Sequence, residues 1–428
     1  MKRISTLALA FAISAMMLAG CGNVSETKST QSAPTSGETT NASTGKEAPD
    51  LKGKTIKVGR WGGNDGENTT FAILLANFTT DTGIKTEEKV YTDFTTQIKA
   101  DLVAGLAPDV FYVDAYMAPF FINQDVLAEI DPAFVEADKF YVPLISAFQK
   151  DGKLYSVPKD YSTLALYYNT KWITAGDIPK TQEELYSTEY LDNILAKLPN
   201  GIAALTYNQD MARLLDMMQI DGTSVLQADN RKSNLGDPKI AANIKPLVDA
   251  AAAKKIVTPA DIGTGWNGEA FGNEQAAMVI EGNWMLGTMK SQFPDIQFEV
   301  AELPTLIGKK STMVYTVGWS INSRSKEKDA ALAWIKYVTG TKGMTTWCTG
   351  AGVLPSRGDI AASMNVDQDP ELAPHIAGAE YATPWQKGES MDIVNNEFMN
   401  YFNSAVRGEM SLEDMMKKAQ DEANKQIQ

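Results

Sequence analysis

Trp61 stands beside Gly62 and Gly63, Trp266 lies inside Gly263-Thr264-Gly265-Trp266-Asn267-Gly268, and Trp284 follows Glu281-Gly282-Asn283. A tryptophan offers a large rigid apolar face at little entropic cost, and a carboxylate that accepts a hydroxyl proton makes a charge-assisted bond. Together they match a small solute with hydroxyls on its edge and C–H groups on its faces. Trp61, Asp114, Asp160, Trp266, Glu281, Trp284, Trp319, Arg357 and Trp385 fall at or beside expected strand ends or in loops, and they are the binding candidates. Tyr116, Tyr161, Asn208, Asn283 and Tyr381 extend the set. Carboxylates beside aromatic rings also suit ammonium groups. Two of Asp114, Asp160 and Glu281 would form a glycosidase pair if they stood about 5 to 10 Å apart.

Ordinary structural roles compete with each assignment. Asp114 ends an apolar run and is a suitable helix cap. Glu281 suits an ion pair with a neighbouring lobe, Arg357 a brace on Asp114 or Asp160, and Trp284, one turn past Ile280, a place in the core. Trp172, Trp334 and Trp347 sit on apolar helical or flanking patterns and are read as core. His375 is the single histidine, which disfavours His-based metal sites and Ser-His or Cys-His catalysis. No metal or cofactor is expected. The two cysteines are Cys21 and Cys348, so with Cys21 modified no internal disulfide is expected. The net charge of -14 makes nucleic acid and anionic lipid surfaces poor partners.

The elements that position these residues alternate. Thr55–Trp61 reads as a strand, Gly62–Gly66 as a loop, and Phe71, Leu74, Leu75 and Phe78 as a helix face. Ile84–Tyr91 and Asp109–Val113 read as further strands with Phe94, Ile98 and Leu102 on a helix between them. The alternation predicts a mainly parallel sheet covered by helices, with ligands at the carboxyl ends of the strands, where Trp61 and Asp114 fall. Leu164–Asn169, Ala276–Ile280 and Val314–Asn322 read as additional strands, and Gln182–Leu198, Gln209–Met218, Pro238–Lys254, Asp329–Val338 and Ser411–Ile427 as helices.

Ahead of these lies Lys2-Arg3, an apolar run from Ile4 to Leu18, and Leu18-Ala19-Gly20-Cys21. This is the pattern of a secretory signal with a lipobox, so residues 1–20 are expected to be removed and Cys21 to be lipidated. Residues 21–53, rich in Ser and Thr, are expected to be a flexible spacer between lipid and body. The location implied is extracytoplasmic, tethered to the cell membrane.

In the body, Ala107-Pro108-Asp109-Val110 through Leu127-Ala128-Glu129-Ile130-Asp131 begins a series of motifs. Leu154-Tyr155-Ser156-Val157-Pro158 with Leu166-Tyr167-Tyr168-Asn169 follows, then Glu274–Trp284, Gly318-Trp319-Ser320-Ile321-Asn322 and Gly352–Arg357. In this order they resemble the solute-receptor lipoproteins of ABC importers, in the group similar to maltose-binding protein, over nearly all of residues 54–428. The resemblance implies an α/β fold of two lobes joined by crossing strands, with a ligand cleft between them. It places the first lobe at 54–161 and 304–345 and the second at 162–303 and 346–428, with crossings near Tyr161, Pro304 and Thr346. It implies a monomeric, non-enzymatic receptor that captures a di- or oligosaccharide, closes around it and passes it to the permease subunits. A polyamine or other cationic solute on the same fold is the alternative, and an exported glycosidase a further one.

Overall fold

The computed structural model describes residues 50–63, 65–228, 231–385 and 390–427. The signal segment, Cys21 and the spacer up to residue 49 lie outside the described residues, as does Asn64 in the loop after Trp61.

Strand β1 (Thr55–Trp61) pairs in parallel with β2 (Lys85–Tyr91) and β3 (Val110–Asp114). The helix Asp65–Thr82 joins β1 to β2, and Phe94–Ala104 joins β2 to β3. The second of these is fixed at both ends: Asp93 accepts from the Thr96 amide at its start, and Gly105 closes it at φ 72°, a conformation that glycine adopts freely. A small hairpin of β4 (Gln149–Lys150) and β5 (Lys153–Leu154) precedes β6 (Val157–Asn169), whose thirteen residues are almost all buried.

The sequence shows only the second half of β6 as an apolar run; the structure makes the whole segment one strand that passes from one half of the molecule to the other. Its beginning pairs antiparallel with β10 (Met313–Ile321), from Val157 opposite Trp319 to Thr163 opposite Val314. Its end pairs with β8 (Ala276–Gly282) and β9 (Phe298–Ala301), and β7 (Ala203–Thr206) adds in parallel to β8. A short β11 (Thr383–Pro384) lies along β10. The strand order is β2-β1-β3-β10-β6-β8-β7. The expectation of a mainly parallel sheet therefore holds on the two flanks only. At the centre, β10 and β6 traverse the molecule in opposite directions, and their pairing is antiparallel.

Two cores lie on either side of these crossing strands. The first is built on Phe71, Phe111, Trp319 and Trp334, the second on Leu166, Leu215, Phe398 and Phe402. A smaller cluster with Tyr161, Val314 and Leu354 sits between the flanks. This is a two-lobe α/β fold with antiparallel crossing strands. Tyr161 lies on β6, Pro304 precedes β10, and Thr346 lies inside the helix Thr341–Ala351. That helix buries Met344, Trp347 and Cys348 in the first core, three residues at helical spacing that share one face. The chain next meets the crossing strands at Leu354, which bridges to Tyr161.

The expected helix 182–198 is two short ones, Gln182–Leu185 and Thr188–Leu195, because Ser187 accepts from the Tyr190 amide and starts a new helix. Among the described residues no helix is long and apolar enough to cross a membrane, and no group of three or more His, Cys, Asp and Glu is placed to hold a metal ion.

Candidate functional site

Four consecutive residues of β10 gather side chains from both lobes. Val314 accepts a hydrogen bond from the Trp385 amide (2.9 Å), and Tyr315 carries a ring that meets Trp284. Thr316 accepts from the Ala115 amide (2.9 Å), and Val317 lies in register opposite Asp114 at the carboxyl end of β3. Parallel strands present their carboxyl ends to one side, and the crossing strand stitches the loops of the two lobes together there.

On the second lobe, Trp284 follows β8 and is 38% exposed. A side chain on Gly282 would overlap its indole, so the absence of a Cβ at residue 282 lets the ring lie back over the strand end. The indole is held edge-on to Tyr315, with centroids 5.4 Å apart at 71°. The Arg213 guanidinium lies 5.0 Å from the Trp284 ring centroid and donates to the Tyr315 hydroxyl (3.2 Å). Behind it, Glu281 is buried and accepts from Arg213 (3.3 and 3.4 Å), Asn267 Nδ2 (3.2 Å) and the Gly282 amide (3.1 Å). Burial pushes the Glu281 carboxyl above its ordinary range, against the pull of Arg213. Glu281 thus anchors Arg213, and Arg213 in turn supports the exposed indole.

On the first lobe, Asp114 accepts from the Met117 amide (2.7 Å) in the turn before the helix Ala118–Asn123, whose N-cap is Met117, so Asp114 does not cap that helix. Burial raises its carboxyl above the usual range, and the nearby Asp392 acts in the same direction. Asp114, Tyr116, Lys99 and Asp392 help line a cavity of about 330 Å³. Tyr116 stacks on Trp385, centroids 5.2 Å apart and planes 11° from parallel. Trp61 ends β1 partly exposed, edge-on to Phe94 (5.0 Å) and Tyr112 (4.9 Å).

The structure thus gathers Asp114, Tyr116, Trp284 and Trp385 along β10, with Trp61 at another strand end of the first lobe. Asn208 lies past β7, lining a larger cavity of about 1150 Å³ with Asp210, Thr258 and Asn403. Trp266 lies over Gly268, half-buried against a satellite core that includes Phe271.

Five candidates are corrected, each because its side chain is buried in the interior. Asp160 is buried, paired with Lys159 and bonded by Trp347 Nε1 (2.7 Å). Tyr161 is buried in the cluster between the flanks, and Glu281 serves Arg213 as described. Trp319 is buried against Phe71, Trp334 and Tyr112. Arg357 braces neither Asp114 nor Asp160; it is buried and pairs with Glu136 (3.0 Å) and Asp359 (2.7 Å). Of the secondary candidates, Asn283 is buried, and the Tyr381 hydroxyl donates to Glu302 (2.7 Å). Trp334 and Trp347 are core, as read. Sequence reading missed Arg213 and Tyr315. Arg213 is the one basic residue in the helix Met211–Met218, which was its only signal, and Tyr315 sits on a strand with nothing to distinguish it.

Two α/β lobes joined by antiparallel crossing strands, with aromatic side chains gathered at the strand ends beside the crossing, define the class of two-lobed solute receptors. The sequence pattern of the bacterial extracellular solute-binding protein family matches residues 74–374, and the chain belongs to that family. The diacetylchitobiose binding protein of Streptomyces coelicolor is 24% identical over 331 residues, 75% of this chain and 77% of its own. The solved sugar-binding protein MalE of Xanthomonas citri has a TM-score of 0.78 at 18% identity, covering 87% of this chain and 97% of its own. The cyclic alpha-maltosyl-1,6-maltose binding protein of Arthrobacter globiformis has a TM-score of 0.76 at 20% identity, covering 87% and 98%. At these identities the two structures are a likeness of fold.

Proposed function

We propose that the protein is the extracytoplasmic receptor of an ABC importer, lipid-anchored at Cys21, that binds a di- or oligosaccharide between its lobes and delivers it to the permease. The observation that carries this reading is Trp284, a third exposed and fixed by Arg213 and Tyr315, beside the stacked Tyr116 and Trp385. A rigid indole with one open face is suited to the C–H face of a sugar ring, and Asp114 supplies a nearby acceptor for hydroxyls. The similarity to a diacetylchitobiose binding protein and to maltose-type receptors supports a sugar cargo. At micromolar affinity about 8 kcal/mol is shared between holding the ligand and shifting the lobes toward closure. Trp61, Trp266 and Asn208 are proposed to contact longer ligands.

The glycosidase alternative is disfavoured for two of its three carboxylates, since buried Asp160 and Glu281 are each paired with a cation. A cationic cargo keeps one observation in its favour, the two carboxylates Asp114 and Asp392 around one small cavity. A thermal-shift screen of the protein against mono-, di- and oligosaccharides, spermidine and putrescine separates the readings, because a ligand bound only by the folded state raises the midpoint. Stabilisation by a sugar class that is lost in Trp284→Ala supports the receptor for sugars. Stabilisation by the polyamines alone would replace the cargo and keep the receptor.

A further inference from the structure

Strands β7 and β8 run in parallel, so their carboxyl ends open on the same side of the second lobe. β8 ends at Gly282, beside Trp284, and β7 ends at Thr206 and leads through Tyr207, Asn208 and Gln209 to Asp210. Asp210 starts the helix Met211–Met218, whose Arg213 lies 5.0 Å from the Trp284 ring centroid. One helical turn therefore separates the support of the indole from the cavity of about 1150 Å³ beyond β7. That cavity is a groove walled by residues 207–210, the loop 257–261 and the later turns of the helix Met391–Val406, and it extends to Gly265, next to Trp266.

The helix Met391–Val406 joins the groove to the centre of the site. At its start, Met391 and Asp392 line the small cavity with Asp114 and Tyr116; further along, Met399 and Asn403 line the groove. From Asp392 to Asn403 the helix rises about 16 Å, farther than a disaccharide reaches. The groove offers amides: the Asn208 side chain has no hydrogen-bond partner among the described residues, and Asn403 Nδ2 donates to Gln209 (2.9 Å). Met399, 45% exposed, adds apolar surface. Lys254 and Arg407 stand against Asp210, Asp261 and Glu409, with Arg407 paired to Glu409 (2.6 Å) and Asp261 accepting from Thr258 Oγ1 (2.8 Å), so little net charge is left to select an ion. Amides and a carboxylate beside an apolar side chain match the hydroxyls and C–H faces of a neutral sugar chain.

We propose that this groove is the far end of the binding site and holds the third and later units of an oligosaccharide whose first units lie on Trp284. The inference rests on the sugar-receptor reading given above and adds chain length to it: the cargo is a linear oligosaccharide of at least three units. Asn208 and Asn403 bond its hydroxyls from two walls of the groove, and Met399 covers a ring face. The groove alone exceeds the roughly 300 to 1,000 Å³ of ordinary small-molecule pockets, so a disaccharide held at Trp284 leaves it unfilled.

The test is calorimetric titration of the full-length protein with sized fractions, two to five units long, of starch, chitin, cellulose and galactan hydrolysates. In the series that binds, affinity is expected to rise about tenfold from two units to four, the worth of one or two hydrogen bonds. Asn208→Ala with Asn403→Ala is expected to cut that ratio to below about threefold. Asn208→Ala alone, which removes no hydrogen bond of the fold, is expected to account for about half of the loss in free energy, and the unliganded melting temperature checks that both variants are folded. Equal affinity at every length, or a ratio that survives the double variant, overturns the groove and leaves the sugar receptor standing. Failure of every fraction to bind overturns the sugar reading itself, and the groove assignment with it.

Discussion

Tyr116 and Trp385 stack 5.2 Å apart, on the edge of β10 along which β3 and β11 both lie. Tyr116 packs against both cores, Trp385 against the second. The pair therefore joins a ring that touches both cores to one that touches the second. Aromatic pairs contribute about 1 kcal/mol beyond their buried area. A double-mutant cycle of Tyr116→Ala and Trp385→Ala on urea unfolding is therefore expected to return a coupling of about 1 kcal/mol. Additive single-variant effects would show that the rings touch without contributing.

Trp284→Ala removes the exposed face at the centre of the site while disturbing little of the core. Calorimetric titration is expected to show binding of the cognate sugar weakened about 30-fold, the cost of about 2 kcal/mol typical of a buried aromatic anchor. The unliganded melting temperature is expected to change little. Unchanged affinity would move the ligand elsewhere in the cleft.

Arg213→Ala leaves Glu281 buried without its cation. Removing one partner of a buried pair costs about 3 to 5 kcal/mol, reduced here to about 2 because the Arg213 side chain retains 20% of its exposure. Adding Glu281→Gln to Arg213→Ala should restore part of that stability, as read by the urea midpoint, without restoring sugar affinity, because the support beneath Trp284 is still absent. Recovery of both would mean that the ring does not depend on Arg213 and that the single variant weakened binding only through the unpaired Glu281 charge.

Asp216 is buried on the helix that carries Arg213 and accepts from Ser311 Oγ (3.0 Å). Burial pushes its carboxyl up to about 6 from an ordinary 3.8. A raised folded-state value means that the folded form holds the proton more tightly. This contribution to stability is fully present below about pH 4 and is lost as pH rises through 6, by about 3 kcal/mol in all. Asp216→Asn is expected to abolish that slope, so that between pH 4 and pH 8 the variant gains about 3 kcal/mol on the parent. Parallel pH profiles would show that Asp216 does not titrate in this range.

His375 reverses the sign. Its Nδ1 donates to Thr163 O (2.9 Å), its Nε2 faces the Tyr167 hydroxyl (2.7 Å), and burial lowers its pKa to about 4 from 6.5. The Nδ1–H bond to Thr163 favours the charged ring, but burial outweighs it, and Nε2 accepts from the Tyr167 hydroxyl only when the ring is neutral. Stability from this group is fully present above pH 6.5 and is lost as pH falls through 4, by about 3 kcal/mol. A histidine proton resonance that titrates near pH 6.5 in the folded protein would contradict the geometry.

Much of the local structure is legible in the residues. The alternation of apolar residues marks β1, β2 and β3 nearly to their ends, and the cap Ser411 starts the helix Leu412–Gln426 where expected. The four-residue β7 and the split at Ser187 are not legible, because short elements take their stability from neighbours rather than from their own pattern.

Of the residues that type and loop position single out, Trp61, Asp114, Tyr116, Trp284 and Trp385 keep part of their surface open. Asp160, Glu281, Trp319 and Arg357 have the same local appearance and lie inside. What separates the two groups is which segments become neighbours: Trp347 meets Asp160, Arg213 meets Glu281, and Glu136 meets Arg357 only after folding. The sequence by itself determined the alternating elements and the supply of aromatic and acidic groups, since these follow from periodicity within a few residues. Tertiary structure alone decided which of those groups face solvent and which are paired in the interior, because burial and pairing are properties of contacts between segments tens to hundreds of residues apart.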